Sequence, residues 1–166
     1  PPAHNNISNW LSTRPNIIHL IHHSGYYTDN FTCSEDNTLL AFYNDGGSTY
    51  APAIMLDRAH ITSDPGPVFF PSSSNSYTTT LMDQRLNTPS FVTVNIDGTY
   101  DPTAHTINVT VSGEMVGEVL EQNLRLSLYI MEDGLQGSQA GYTGTYTHNE
   151  VMRHAISNVW GDANVV

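Results

Sequence analysis

The sequence predicts an α+β protein, with an α/β first half and a second half built from strands. Three observations carry this expectation. Up to Asn87, apolar residues recur at helical spacing in three places, and short apolar, β-branched runs separate them. After Pro89 the pattern switches to alternation with period two. The switch falls on Thr88-Pro89-Ser90, which puts a domain boundary near residues 88–90 and divides the chain into 1–88 and 89–166.

The first helix is expected over Asn5–Arg14, where Ile7, Trp10 and Leu11 share a face and Pro15 stops the run. Asn16–His23 (N-I-I-H-L-I-H-H) reads as a buried strand of a parallel sheet. Ser34-Glu35-Asp36 then opens a second helix, with Ser34 as its cap and acid in its first turn. Leu39, Leu40, Phe42 and Tyr43 are its expected buried side, and Gly46-Gly47 its stop. Tyr50–Arg58 reads as a second strand, entered through Pro52. Tyr77–Asn87 is a third helix, with Leu81, Met82 and Leu86 inward.

In the second half, Phe91–Asp97 and His105–Val111 alternate, and Gly98–Ala104 between them is turn chemistry, so the pair reads as a β-hairpin. Leu124–Met131 is a third alternating strand. Thr147 is placed to cap a last helix over His148–Ser157, with Val151, Met152, Ala155 and Ile156 inward. Both halves are short of strands: the two parallel strands of the first lack a neighbour to complete their sheet, and the alternating sheet of the second needs another layer over its apolar face.

Composition narrows the function classes. The chain has 166 residues, net charge −11, five basic residues that are all arginine, and one cysteine. No apolar run approaches the roughly 20 residues of a membrane-spanning helix. Without a basic cluster, a nucleic-acid partner is not expected. One cysteine supports neither an internal disulfide nor a C-x-x-C redox pair.

Several residues could carry chemistry. His19, His22 and His23 lie on one expected strand, with His19 and His23 on the same face. Four residues on a strand span about 13 Å, too far for His19 and His23 to share one metal ion. The bland reading is that these histidines hydrogen-bond at the end of a buried strand. Asp97, Asp101, Glu132 and Asp133 sit at expected strand ends and offer oxygen ligands for Ca²⁺, although their spacing matches no EF-hand. Cys33 is placed at a helix N-terminus, which activates a thiol, but Glu35 and Asp36 beside it act the other way. No nucleophile elbow, P-loop or H-E-x-x-H is present.

Two stretches are distinctive: Leu128-Tyr129-Ile130-Met131-Glu132-Asp133-Gly134-Leu135, and Tyr146-Thr147-His148-Asn149-Glu150-Val151-Met152-Arg153. Together they resemble the twenty-eight-kilodalton outer-membrane protein family of Bacteroidetes-type bacteria. The resemblance implies a thioredoxin-like domain over 1–88, lacking its first strand and its C-x-x-C. An immunoglobulin-like β-sandwich over 89–166 would follow it. It implies a chain that begins after one functional motif and stops before its last sheet closes. It places the protein at the outer membrane or outside the cell, as a lipid-anchored or secreted protein whose partner is another envelope protein.

On this resemblance Pro52 stands where thioredoxin-like folds place a cis-proline. Ala51, Pro52, His22 and His23 would then line a substrate groove. The leading expectation is a binding or structural module with no cofactor. One alternative is a thiol–disulfide oxidoreductase whose C-x-x-C lies upstream of residue 1. Another is a metal-binding surface protein using His19 and the acids Asp97, Asp101, Glu132 and Asp133.

Overall fold

The computed structural model describes residues 2–25, 28–43, 51–63, 66–71, 75–118 and 123–163. Three helices come first: α1 (Pro2–Leu11), α2 (Ser34–Tyr43) and α3 (Asn75–Leu86). The strands are β1 (Asn95–Asp101), β2 (Thr106–Ser112), β3 (Arg125–Leu126), β4 (Tyr129–Glu132), β5 (Leu135–Gly137), β6 (Tyr146–His148), β7 (Val151–Ala155) and β8 (Asp162–Ala163). The chain is therefore α+β. The Gly46-Gly47 stop expected for α2 and the Tyr50 start of the second strand lie outside the described residues.

α1 begins at Pro2, whose fixed φ suits a first helical turn, and its buried residue is Trp10. Arg14 closes its C-terminus. Nη1 donates to the Trp10 carbonyl (2.9 Å), while Nε and Nη2 grip both oxygens of Asp83 in α3 (2.7 and 3.0 Å). α3 buries Leu81 and Met82 but leaves Leu86 exposed, so its apolar side is narrower than expected. The Thr78 hydroxyl is fully buried there and has no hydrogen-bond partner among the described residues. Thr78→Val replaces that hydroxyl by a methyl of similar size, and burying an unpaired hydroxyl costs about 1–3 kcal/mol. The variant is expected to melt a few degrees higher in a thermal scan.

The strand expected over Asn16–His23 does not form as a regular strand: residues 17–23 make one isolated parallel bridge, Ile21 to Val151 of β7. Ile21 N–H donates to the Glu150 carbonyl (2.8 Å), and Met152 N–H donates to the Ile21 carbonyl (2.9 Å). The parallel neighbour expected from the sequence is thus supplied by the second half. Ile18, expected inside, is 85% exposed. The proline-led run is also more irregular than expected. Ile54 pairs antiparallel with Phe69, and the Ala51–Pro52 peptide bond is cis. After it, Asp57 and Arg58 both take left-handed backbone (φ 51° and 55°).

β1 and β2 form the expected hairpin, paired from Asn95↔Ser112 to Asp101↔Thr106, and Val92↔Met115 continues it. The turn begins later than expected, at Pro102, because the Asp101 carboxylate accepts the N–H groups of Thr103 (2.8 Å) and Ala104 (3.1 Å). Gly98, expected in that turn, lies inside β1 opposite Val109.

The other long feature is an antiparallel ribbon made in two stages. β4 pairs with β7 and β5 pairs with β6, so 129–137 runs against 146–155. Between the stages, Asp133-Gly134 faces Asn149-Glu150, and both Gly134 and Glu150 have positive φ (77° and 59°). Regular ladder bonds stop there and side chains replace them. Asn149 Oδ1 accepts Gly134 N–H (2.9 Å), and Asp133 Oδ1 accepts Glu150 N–H (2.6 Å). Arg153 reaches back to Glu132 (3.2 Å).

The expected helix over His148–Ser157 is therefore wrong: that stretch is β6, the bend and β7. Val151 and Met152 are successive and both fully buried. Neighbouring strand residues point to opposite faces, so both faces of β7 are covered and no alternation betrays it. The left-handed Glu150 and the Asp133 bond also prevent a helix from starting there. The single strand expected over Leu124–Met131 is likewise split into β3, paired with β8, and β4.

The core forms where α2 packs on β7. Leu39, Met152 and Ala155 are its buried centre, with Leu20, Cys33, Tyr43, Tyr129, Val159 and Trp160 around it. Phe42, expected inward, is 63% exposed. Leu39 and Tyr43 point inward as expected, and the buried Asp36 joins them at helical spacing.

Candidate functional site

The three histidines of the extended segment each point Nδ1 at a carboxylate. His19 meets Glu150 in the ribbon bend. His22 meets Asp36 in the first turn of α2 (2.8 Å), and His23 meets Asp29 (2.7 Å). A fourth pair joins His154 of β7 to Glu35 of α2 (2.7 Å). The α2 N-terminus is thus the junction: Asp36 holds the 17–23 segment and Glu35 holds β7.

Asp36 is fully buried and serves two partners, His22 through Oδ1 and the Cys33 N–H through Oδ2 (3.1 Å). The second bond satisfies an otherwise orphaned donor at the helix start, as the acid three positions after the N-cap does in a capping box. Ser34 is already the first residue of α2 rather than its cap, and its hydroxyl donates to Glu35 (2.7 Å).

The Ser34 hydroxyl, the Ala155 N–H and the His154 ring hold the Glu35 carboxyl down to about 2, against the opposing effect of burial. A depressed carboxylate contributes stability that is fully present above its ordinary value of 4.5 and is lost as pH falls towards about 2. Glu35→Gln should therefore melt lower than the parent chain above pH 4.5, with the gap closing towards pH 2; melting curves across that range check this. Asp29 is pushed up by burial, but His23, the Phe31 N–H and Thr32 outweigh this and leave it below the usual range.

Cys33 stands beside this junction, and burial pushes its thiol up, with the charges of Asp36 and Glu35 adding to the shift. Next to His23 lies a packed set of rings: Phe31 (centroids 5.4 Å), His148 (4.9 Å) and, beyond His148, Tyr146 (4.9 Å) and Tyr142.

The expected groove residues lie on two segments of the chain. His22 and His23 belong to the junction, whereas Ala51 and Pro52 lead the segment that ends at Arg58 against Tyr43 and Tyr129. The candidate Ca²⁺ ligands are also parted. Asp97 and Asp101 lie in the β1–β2 hairpin, where Asp101 is engaged by its turn. Glu132 and Asp133 lie at the ribbon bend, bonded to Arg153 and Glu150. Among the described residues, no three His, Cys, Asp or Glu side chains converge on one point.

Sequence reasoning missed the partners Asp29, Asp36, Glu35 and Glu150. Only Glu35 and Asp36 left a signal, as acid at a helix start.

No helix of the described residues is long and apolar enough to cross a membrane. No curated protein and no solved structure matches the chain. A family profile described as Outer membrane protein Omp28 matches residues 40–166, which include the whole ribbon and its bend. The chain therefore belongs to the Omp28 family of outer-membrane proteins, and its place is the bacterial cell envelope.

Proposed function

We propose that the chain is a binding module of the envelope surface, which uses the open face of the β1–β2 hairpin to engage a protein partner. One observation carries this reading. Ile96, Tyr100 and Ile107 share a face of the hairpin and are 67%, 60% and 61% exposed. The opposite face carries Asp97, Thr99, Asn108 and Thr110. A two-stranded ribbon is only marginally stable alone, and a contiguous exposed apolar face marks an interaction site.

Two further features support the reading. The junction histidines and acids are spent on one another, and the Cys33 thiol is pushed up, which suits a scaffold better than thiolate chemistry. The order of α1, extended segment, α2, proline-led segment and α3 supports a thioredoxin-like first half over 1–88. We assign the immunoglobulin-like part to 89–166.

The test is site-specific photocrosslinking in cells. A photoreactive residue at Ile107 should yield a discrete adduct, and one at Asn108, on the other face, should not. Equal crosslinking from both faces, or none from Ile107, would remove the reading.

A further inference from the structure

We propose that Arg58 and the rings around it form a binding site for a carboxylate carried on an aromatic or apolar body, separate from the hairpin face. The arginines of this chain divide by partner. Arg14, Arg85 and Arg153 face the carboxylates of Asp83, Asp57 and Glu132, and Arg125 donates to the Gly161 carbonyl. Arg58 faces rings instead. Its guanidinium carbon lies 5.6 Å from the Tyr43 centroid and 5.7 Å from that of Tyr129. Its Nη2 donates to the Tyr129 hydroxyl, which in turn donates to the Val159 carbonyl (3.2 Å). Among the described residues no carboxylate pairs with it.

The fixed tyrosine orients the guanidinium while using one of its five N–H donors. An exposed cation that no described carboxylate pairs with, in a chain of net charge −11, selects an anion by charge. The planar fork matches a carboxylate in two parallel hydrogen bonds.

The surroundings select what the carboxylate is attached to. Phe42 is 63% exposed and packs on Trp160 (centroids 4.7 Å), and Tyr43 touches both rings (5.1 and 6.3 Å). These rings adjoin Arg58 through Tyr43 and offer an apolar wall beside the charge. Clusters of Trp, Tyr and Arg of this kind carry much of the binding energy where proteins meet ligands. The backbone points the same way. Asp57 and Arg58 are successive non-glycine residues in left-handed conformation, held by the Asp57–Arg85 bond (2.9 Å). Such costly conformations gather at ligand clamps.

The test follows the two indole N–H signals of the ¹⁵N-labelled chain by NMR. N-acetyl-L-phenylalanine should shift the Trp160 signal saturably at millimolar concentration and leave the buried Trp10 signal in place. Its uncharged amide should bind about tenfold more weakly or worse, as expected for the loss of a charged hydrogen bond. Arg58→Met should abolish the preference for the acid, and Arg58→Lys should keep part of it. An unchanged Trp10 signal reports that each variant is folded. A peptide ending in a free-carboxyl phenylalanine binding more tightly than the small acid identifies a peptide C-terminus as the source; equal binding identifies a free small acid. Equal affinity for acid and amide, an acid preference that survives Arg58→Met, or no saturable shift of Trp160 would overturn the proposal.

Discussion

Replacing Asp36 by alanine is expected to destabilise the chain by about 2–4 kcal/mol, the scale of losing two hydrogen bonds to one buried carboxyl group. The carboxylate is fully buried, accepts from His22 and caps α2 through the Cys33 N–H. Its loss leaves an imidazole and a helix-start donor without their acceptor, and the methyl that remains offers neither bond. At this size the change corresponds to a fall in melting temperature of very roughly 5–15 °C. Urea unfolding should show a lower midpoint with an unchanged slope. A double-mutant cycle with His22→Ala should return a coupling of about 1 kcal/mol or more. A value near zero would mean that Asp36 acts through the helix cap alone.

The second large effect is expected at Met152. Met152→Ala should cost about 2–5 kcal/mol, the range for a fully buried large-to-small change. Met152 sits with Leu39 and Ala155 at the centre of the core, and its N–H bonds the Ile21 carbonyl. The side-chain loss opens a cavity against α2 while the backbone bond stays. Met152→Leu, close in volume, should cost less than about 1.5 kcal/mol. Thermal unfolding of the two variants side by side separates packing from side-chain identity.

Local patterns are legible where a start signal is local or where apolar and polar residues separate onto two faces. The helix over 34–43 announced itself through Glu35 and Asp36 at its start, and the β1–β2 hairpin through strict alternation. The family resemblance rests on Glu132-Asp133-Gly134 and on the Tyr146–Arg153 stretch with its His148-Asn149, and the structure gives Asp133, Gly134 and Asn149 a physical role. The Asp133 and Asn149 side chains replace the ladder bonds at the ribbon bend.

What stayed hidden has a common cause. β7 is covered on both faces, so Val151-Met152-Arg153-His154-Ala155 fits helical spacing as well as it fits a strand. The partners of His19, His22 and His23 are separated from them by between 6 and 131 positions, and no local spacing rule reports such contacts. The same holds for Arg58, whose tyrosine neighbours lie before it in α2 and after it in β4.

The central structural claim is that the extended segment 17–23 pairs with the family's ribbon strand, and that the junction histidines pin it there. Disulfide trapping tests this most directly. In a Cys33→Ser background, Ile21→Cys with Val151→Cys should crosslink readily on mild oxidation, since directly paired strand residues lie within disulfide reach. Ile18→Cys with Val151→Cys, offset along the segment, should not. Efficient crosslinking of the offset pair, or none from the paired positions in the folded chain, would contradict the claim.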